Sequence, residues 1–152
     1  MIDSVKIIKT TSENPDFVSL IKIFDTYLWE RYPELKSHYW GNNIIQLNPN
    51  VVVIYLNEKP VACGCFKKYN KSTIEIKRMF VSTEARGLGL AQKILQELEL
   101  WAKESGYSFS ILETLYKQQE AISLYQKVGY TIVNNYEPYI GLDNSICMRK
   151  QI

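Results

Sequence analysis

The residues best placed by type and spacing to do chemistry are Arg86-Gly87-Leu88-Gly89-Leu90-Ala91. They follow an apolar run, Met79-Phe80-Val81, that suits a buried strand, and a break at Ser82-Thr83-Glu84. From Leu88 onward the apolar residues recur at helical spacing, so two glycines stand at a helix mouth. A helix start exposes unpaired backbone N–H groups at the positive end of the helix dipole, and glycine lets an anion reach that backbone with no Cβ in its path. The stretch reads as an anion cradle. It is not a nucleotide P-loop, because Gly-x-x-x-x-Gly-Lys-Ser/Thr occurs nowhere in the chain. Nor is it the dinucleotide fingerprint Gly-x-Gly-x-x-Gly, since Gln92 stands where the third glycine belongs.

Other reactive side chains are few. Cys63, Cys65 and Cys147 sit in apolar, strand-like contexts, and the one histidine, His38, is far from them in sequence. No zinc spacing results, and Cys-x-Cys is too short for a redox motif, so all three read as reduced core cysteines. Eighteen basic and sixteen acidic residues are mixed along the chain for a formal charge of +2. That pattern gives a solvated mixed surface and points to neither nucleic acid nor an anionic membrane as partner. No apolar run reaches membrane length, and the first residues lack the basic and apolar regions of a signal peptide, so a cytoplasmic protein is expected.

The elements that must position the glycine loop can be read in order. A short β-favourable run at 5–8 leads into a helix from Asp16, with Phe17, Leu20, Ile21, Phe24 and Leu28 on one face and a break at Tyr32-Pro33. The stretch 34–47, with His38, Tyr39 and Trp40, could hold a second short helix. Beyond the Asn48-Pro49-Asn50 turn, 51–56 reads as a buried strand, and a hairpin turn at 57–60 feeds a strand at 61–66. A third strand, 73–81, runs into the glycine loop. The helix after the loop carries Leu88, Ala91, Leu95, Leu98 and Ala102, with Ile94 and Trp101 widening the stripe, and ends at Gly106. A strand at 109–112 then lies parallel to the previous one by right-handed crossover. A second amphipathic helix, with Ala121, Leu124, Tyr125 and Val128, stops at Gly129, and two strands, 130–133 and 145–149, close the chain. One domain over 1–152 is expected, an α/β fold with a mixed, mostly antiparallel sheet of about seven strands and helices on both faces.

The loop Arg86-Gly87-Leu88-Gly89-Leu90-Ala91 resembles the Gln/Arg-x-x-Gly-x-Gly/Ala loop of the GNAT superfamily of N-acetyltransferases. A second segment, Ala121-Ile122-Ser123-Leu124-Tyr125-Gln126-Lys127-Val128-Gly129-Tyr130, resembles that family's Ala-x-x-Leu-Tyr-x-x-x-Gly-Phe/Tyr motif. The resemblance covers roughly 51–133. It implies that acetyl-coenzyme A is the co-substrate, with no metal. It further implies that the backbone of Met79, Phe80 and Val81 pairs with the pantetheine arm, in a strand that a bulge splays from its neighbour. The N–H groups of Arg86, Gly87, Leu88, Gly89, Leu90 and Ala91 would take the pyrophosphate, with the Arg86 side chain adding charge. Tyr125 becomes the general acid facing the coenzyme sulfur, although periodicity alone makes it a core tyrosine. Glu75 becomes the base, against an ordinary exposed glutamate paired with Lys77 or Lys68. Gln118 stands where many relatives have asparagine and would touch the pantetheine region.

The expected reaction is direct acetyl transfer, within a ternary complex, to a primary amine on a small-molecule or peptide acceptor. Tyr27, Trp29, Tyr32, His38, Tyr39, Trp40, Tyr136 and Tyr139 are aromatic candidates for the acceptor wall. The paired C-terminal strands leave a homodimer open. The rival readings are a non-catalytic acyl-coenzyme A sensor or interaction module with the same fold, and a nucleotide-binding protein.

Overall fold

A computed structural model describes residues 4–33 and 47–152; the predicted helix within 34–47, together with His38, Tyr39 and Trp40, lies outside the described residues, Leu47 apart. Numbered among those described, the elements are β1 (Val5–Thr10), α1 (Pro15–Arg31), β2 (Val51–Leu56), β3 (Lys59–Lys68), β4 (Thr73–Val81), α2 (Leu90–Glu104), β5 (Phe109–Leu115), α3 (Gln119–Lys127), β6 (Thr131–Val133) and β7 (Ser145–Gln151). The strands form one seven-stranded sheet in the order β1-β2-β3-β4-β5-β7-β6. β4 and β5 pair in parallel, whereas β1 with β2, β2 with β3, β5 with β7 and β6 with β7 pair antiparallel. β7 thus lies between β5 and β6. Contacts divide the chain into two compact units, Met1–Cys65 with Arg78–Leu98, and Phe66–Lys77 with Glu99–Ile152.

In the first unit, Asn14 caps α1, its Oδ1 accepting from the backbone N–H groups of Asp16 (2.8 Å) and Phe17 (3.1 Å), and Pro15 follows where a missing donor costs nothing. The helix buries Phe17, Leu20 and Ile21 against Val51 and Val53 of β2, Cys63 and Cys65 of β3, and Phe80 of β4. Strand alternation turns the intervening residues to the other face, where α2 packs. Gly64 makes that packing close: a Cβ there would lie 2.6 Å from Met79 Sδ and 2.7 Å from Ile94 Cγ2. Helices therefore cover both faces of these strands. The β2–β3 turn is shorter than predicted, being Asn57-Glu58 alone with φ of 51° and 69°, the left-handed pair of a two-residue hairpin; Lys59 and Pro60 already belong to β3.

In the second unit, Phe66 meets Trp101 edge-on at 5.7 Å and Tyr107 at 6.3 Å. Tyr130 Oη sits 2.7 Å from Ser110 Oγ and donates to Glu99 Oε2 at 2.9 Å, while Lys150 Nζ donates to Glu99 Oε1 at 2.7 Å. The β4–β5 ladder runs over Thr73–Phe109, Ile74–Ser110 and Glu75–Ile111. Continuing the alternation from this register, and from Glu113–Cys147 and Leu115–Ser145 between β5 and β7, puts Glu75, Lys77, Glu113, Ser145 and Cys147 on one sheet face.

Candidate active site

The glycine loop belongs to the first unit. β4 ends at Val81, a short 3-10 turn spans Thr83–Ala85, and α2 opens at Leu90. Leu88, expected inside the helix, precedes it and is 51% exposed. Leu90 supplies the first buried position instead, because the loop consumes two residues in left-handed conformation, Gly87 at φ 81° and Gly89 at φ 74°. A Cβ on either glycine would meet nothing within 4 Å, so glycine is required there by backbone conformation, and that side of the loop is open. No acidic side chain lies in the first turn of α2. An open turn, a helix start and no opposing charge fit a phosphate-bearing ligand. The Arg86 guanidinium donates from Nε to the Val81 carbonyl (3.1 Å) and lies 5.0 Å from the centroid of the Tyr27 ring.

The strand leading to the loop is distorted. Arg78, within β4, has φ 59°, the left-handed geometry of a bulge residue and uncommon outside glycine. Its guanidinium, 7% exposed, donates to Asp25 Oδ1 of α1 at 2.7 Å, and its carbonyl accepts from Cys63 Sγ at 3.5 Å. Burial raises the Cys63 thiol's pKa strongly, so it stays a neutral donor. Just beyond, Phe80 stacks on Phe24 with centroids 5.0 Å apart. The Phe80 side chain is thereby spent on the core, and what β4 offers here is main chain.

The second unit gathers charge. Glu75 is 2% exposed; its Oε2 accepts from the Tyr136 hydroxyl at 2.7 Å and its Oε1 lies 3.7 Å from Lys67 Nζ. Lys77 Nζ donates to the Tyr139 hydroxyl at 2.7 Å. Glu113 Oε2 accepts from Ser145 Oγ at 2.6 Å. Burial pushes the Glu113 carboxyl up to about 7, the Ser145 hydrogen bond and the Lys77 charge opposing and the Glu75 charge adding. The Cys147 thiol is raised to about 11, first by burial. Tyr125, 8% exposed, meets Tyr130 edge-on at 5.9 Å; burial and then the charge of Glu113 raise its hydroxyl strongly, so it holds its proton. Gln118, at the N-cap of α3, accepts from Thr114 Oγ1 at 2.7 Å.

With this geometry described, comparison with known proteins decides the family. The acetyltransferase (GNAT) family model matches residues 15–130. The chain belongs to the GNAT acetyltransferase family. Among relatives of this GNAT chain, an IAA acetyltransferase from Azospirillum brasilense is 30% identical over 137 residues, covering 89% of this chain and 90% of that protein. A solved structure ascribed to the acyl-CoA N-acyltransferases, from Klebsiella pneumoniae subsp. pneumoniae MGH 78578, has TM-score 0.80 and 25% identity, with 97% of each chain covered. A GNAT acetyltransferase from Elizabethkingia anophelis with acetyl-CoA bound has TM-score 0.69 and 19% identity, over 97% of this chain and 98% of that one. The chain spans 32%, 64% and 51% of three uncharacterised N-acetyltransferases from Dictyostelium discoideum, Schizosaccharomyces pombe and Bacillus subtilis.

Several GNAT-based expectations are refined by the geometry. Glu75 is neither exposed nor paired with Lys68; its partners are Tyr136 and Lys67. Tyr136 and Tyr139, expected to wall an acceptor site, commit their hydroxyls to Glu75 and Lys77, and Tyr139 is 1% exposed. Tyr32 is buried as well, and Tyr27 carries the cations of Arg86 and Arg31 near its ring. All three cysteines are free and buried. Sequence reasoning missed Glu113, Ser145, Asp25 and Arg78, and named Lys77 only as a partner for Glu75. For Glu113 a signal existed, since a carboxylate directly follows the apolar pair Ile111-Leu112 within the strand; ending that strand at 112 hid it.

Proposed function

We propose that this GNAT protein is an N-acetyltransferase that moves the acetyl group of acetyl-CoA directly to a primary amine, on a small-molecule or peptide acceptor, in a ternary complex. The observation that carries the reading is the open left-handed turn at Gly87 and Gly89 leading into α2. It supports pyrophosphate binding by the N–H groups of Arg86, Gly87, Leu88, Gly89, Leu90 and Ala91. Met79, Phe80 and Val81 contribute main chain to the pantetheine arm, and Gln118 a polar contact from the start of α3. When bound, the co-substrate supplies an activated acyl carbon on a thiol leaving group.

The chain's own residues then have two proton tasks. A carboxylate takes a proton from the incoming ammonium, and an acid protonates the departing sulfur. Tyr125 fits the acid, because burial and the Glu113 charge raise its hydroxyl and so keep it protonated at neutral pH. Glu75, with Glu113 on the same sheet face, fits the base. No helix among the described residues is long and apolar enough to cross a membrane, and three free buried cysteines suit a reducing compartment, so we place the reaction in the cytoplasm. The decisive experiment is release of free thiol from acetyl-CoA against a panel of primary amines. Amine-dependent release supports the proposal; tight coenzyme A binding with no turnover on any amine replaces it with a non-catalytic acyl-CoA sensor.

A further inference from the structure

The first unit holds a residue whose conformation its own side chain disfavours. Arg78 lies within β4 at φ 59°, where a Cβ crowds the backbone, and such a conformation persists only when surrounding contacts over-determine it. Those contacts come from α1 and β3. Asp25 Oδ1 accepts from Arg78 Nη1 at 2.7 Å, with the arginine side chain 7% exposed, and the Arg78 carbonyl accepts from Cys63 Sγ at 3.5 Å. Phe24, the neighbour of Asp25 on α1, stacks on Phe80 with centroids 5.0 Å apart and the ring planes 22° from parallel. Between these two anchors Met79 turns to the opposite sheet face, where its Sδ stands 2.6 Å from the place a Gly64 Cβ would take. Adjacent residues of α1 and one glycine of β3 thus pin three consecutive residues of β4 from both faces.

We propose that Asp25, acting through Arg78, is a positioning residue for coenzyme A: it fixes the main-chain direction of Met79, Phe80 and Val81, the segment that meets the pantetheine arm. The inference rests on the N-acetyltransferase reading above. Main-chain N–H and C=O groups have no rotamers of their own, so their aim at a ligand is set by the backbone torsions that precede them. Relaxing Arg78 from φ 59° to an extended value would swing the peptide groups that follow and draw Phe80 off Phe24. The guanidinium keeps its charge at every working pH, and a buried one left unpaired is strongly destabilising, so the pair persists as long as the fold does. The coenzyme then meets a strand already aimed, and its binding has no backbone to order at this point.

This arrangement separates the two halves of coenzyme A. The proposed pyrophosphate contacts lie on the turn at Gly87 and Gly89, whose conformation is local, whereas the arm contacts depend on a pair of residues 53 positions apart. Weakening the pair should loosen the arm and leave the nucleotide half bound. Position 78 also tells a positioning role from a merely stabilising one. Glycine adopts positive φ with no Cβ to crowd, so Arg78→Gly keeps the strand direction available without the ion pair. Arg78→Ala loses the same pair and retains the steric penalty. An ion pair that only stabilised the fold would set no such order between glycine and alanine in coenzyme binding.

The test is calorimetric titration of the full chain, without acceptor, with coenzyme A and with 3′-phospho-ADP, which keeps the pyrophosphate and lacks the arm. Thermal melting first fixes a temperature at which every variant compared is folded. Arg78→Ala should raise the Kd for coenzyme A about 10-fold. Arg78→Gly should raise it no more than about threefold, and 3′-phospho-ADP should bind both variants within about twofold of wild type. Asp25→Asn removes the charge and keeps the side-chain shape, which covers the case in which the Arg78 variants do not fold; it should weaken coenzyme A about fivefold and spare 3′-phospho-ADP. With an amine that turns over, the KM for acetyl-CoA should follow these Kd values while kcat stays within about threefold. Equal losses for the two ligands, Arg78→Gly binding as weakly as Arg78→Ala, or unchanged coenzyme A binding in Asp25→Asn each overturn the proposal. Wild-type protein that binds neither ligand overturns the N-acetyltransferase reading, and the positioning role with it.

Discussion

The glycine loop and the partly buried charge cluster differ in what does the work. At the loop the proposed contacts are all main chain: Gly87 and Gly89 lack side chains, and Phe80 has lent its ring to Phe24. In the cluster it is side chains that count, and Glu75, Lys77, Glu113, Ser145, Tyr136 and Tyr139 come from three strands and a loop. The first kind of site is set by local backbone conformation, so it is written as spacing along a few residues. The second is set by strand register, and spacing along the chain does not reveal it.

Five substitutions break or sharpen this contrast. The largest effect is expected at the anchor of the main-chain site. Asp25→Ala leaves the 7%-exposed Arg78 guanidinium without its 2.7 Å partner, which should cost about 3 kcal/mol or more in chemical denaturation. A loss below 1 kcal/mol would mean that the left-handed backbone at Arg78 stands without this pair. Next comes Tyr125→Phe, a side-chain deletion that should lower kcat by about 10²-fold with the melting temperature little changed. Turnover within twofold of wild type would return Tyr125 to the core.

Glu113→Gln tests whether the cluster sacrifices stability for chemistry. The folded carboxyl stands near 7, above its ordinary value of 4.5, so the folded protein holds a proton that the unfolded chain releases. Stability from this group is therefore present below pH 4.5 and lost as pH rises through about 7. The Gln variant should gain about 2 to 3 kcal/mol over wild type at pH 8 and almost nothing at pH 4. Equal stability at both pH values would contradict the raised carboxyl. Gly89→Ala forces a Cβ onto φ 74° without meeting any neighbour, a strain of about 1 to 2 kcal/mol. The KM for acetyl-CoA should rise about 10-fold with kcat within threefold, whereas a fall in kcat alone would detach the loop from coenzyme binding. Smallest is Lys67→Ala: its side chain is 45% exposed and its nitrogen 3.7 Å from Glu75, so stability should change by less than about 1 kcal/mol. A larger loss would make Lys67 part of the buried cluster.

Much of the fold was legible in advance because it follows from repeating patterns. The run 51–56 and the strand 73–81 were read with their observed limits, and α1 was read from Asp16, one residue inside its observed start at Pro15, to the Tyr32-Pro33 break. Errors fell where conformation departs from pattern. Leu88 matched the helical spacing yet lies outside α2, since two left-handed glycines must be passed before the helix can start. Placement of β7 between β5 and β6 was not readable, because consecutive antiparallel strands can join a sheet in more than one order.

By itself the sequence determined the order of the elements, the glycine loop at a helix mouth, the Ala121 to Tyr130 segment and hence the family. These are local features, fixed by residues within a turn or two of each other. Only the tertiary structure decided that Glu75 is buried beneath Tyr136, that Asp25 holds Arg78, and that Glu113 shares a face with Glu75 and Lys77. The partners in those pairs are 61, 53 and roughly 40 residues apart. Alternation along a strand says which residues share its face; the register between strands, set by the packing of the whole sheet, says which of them meet.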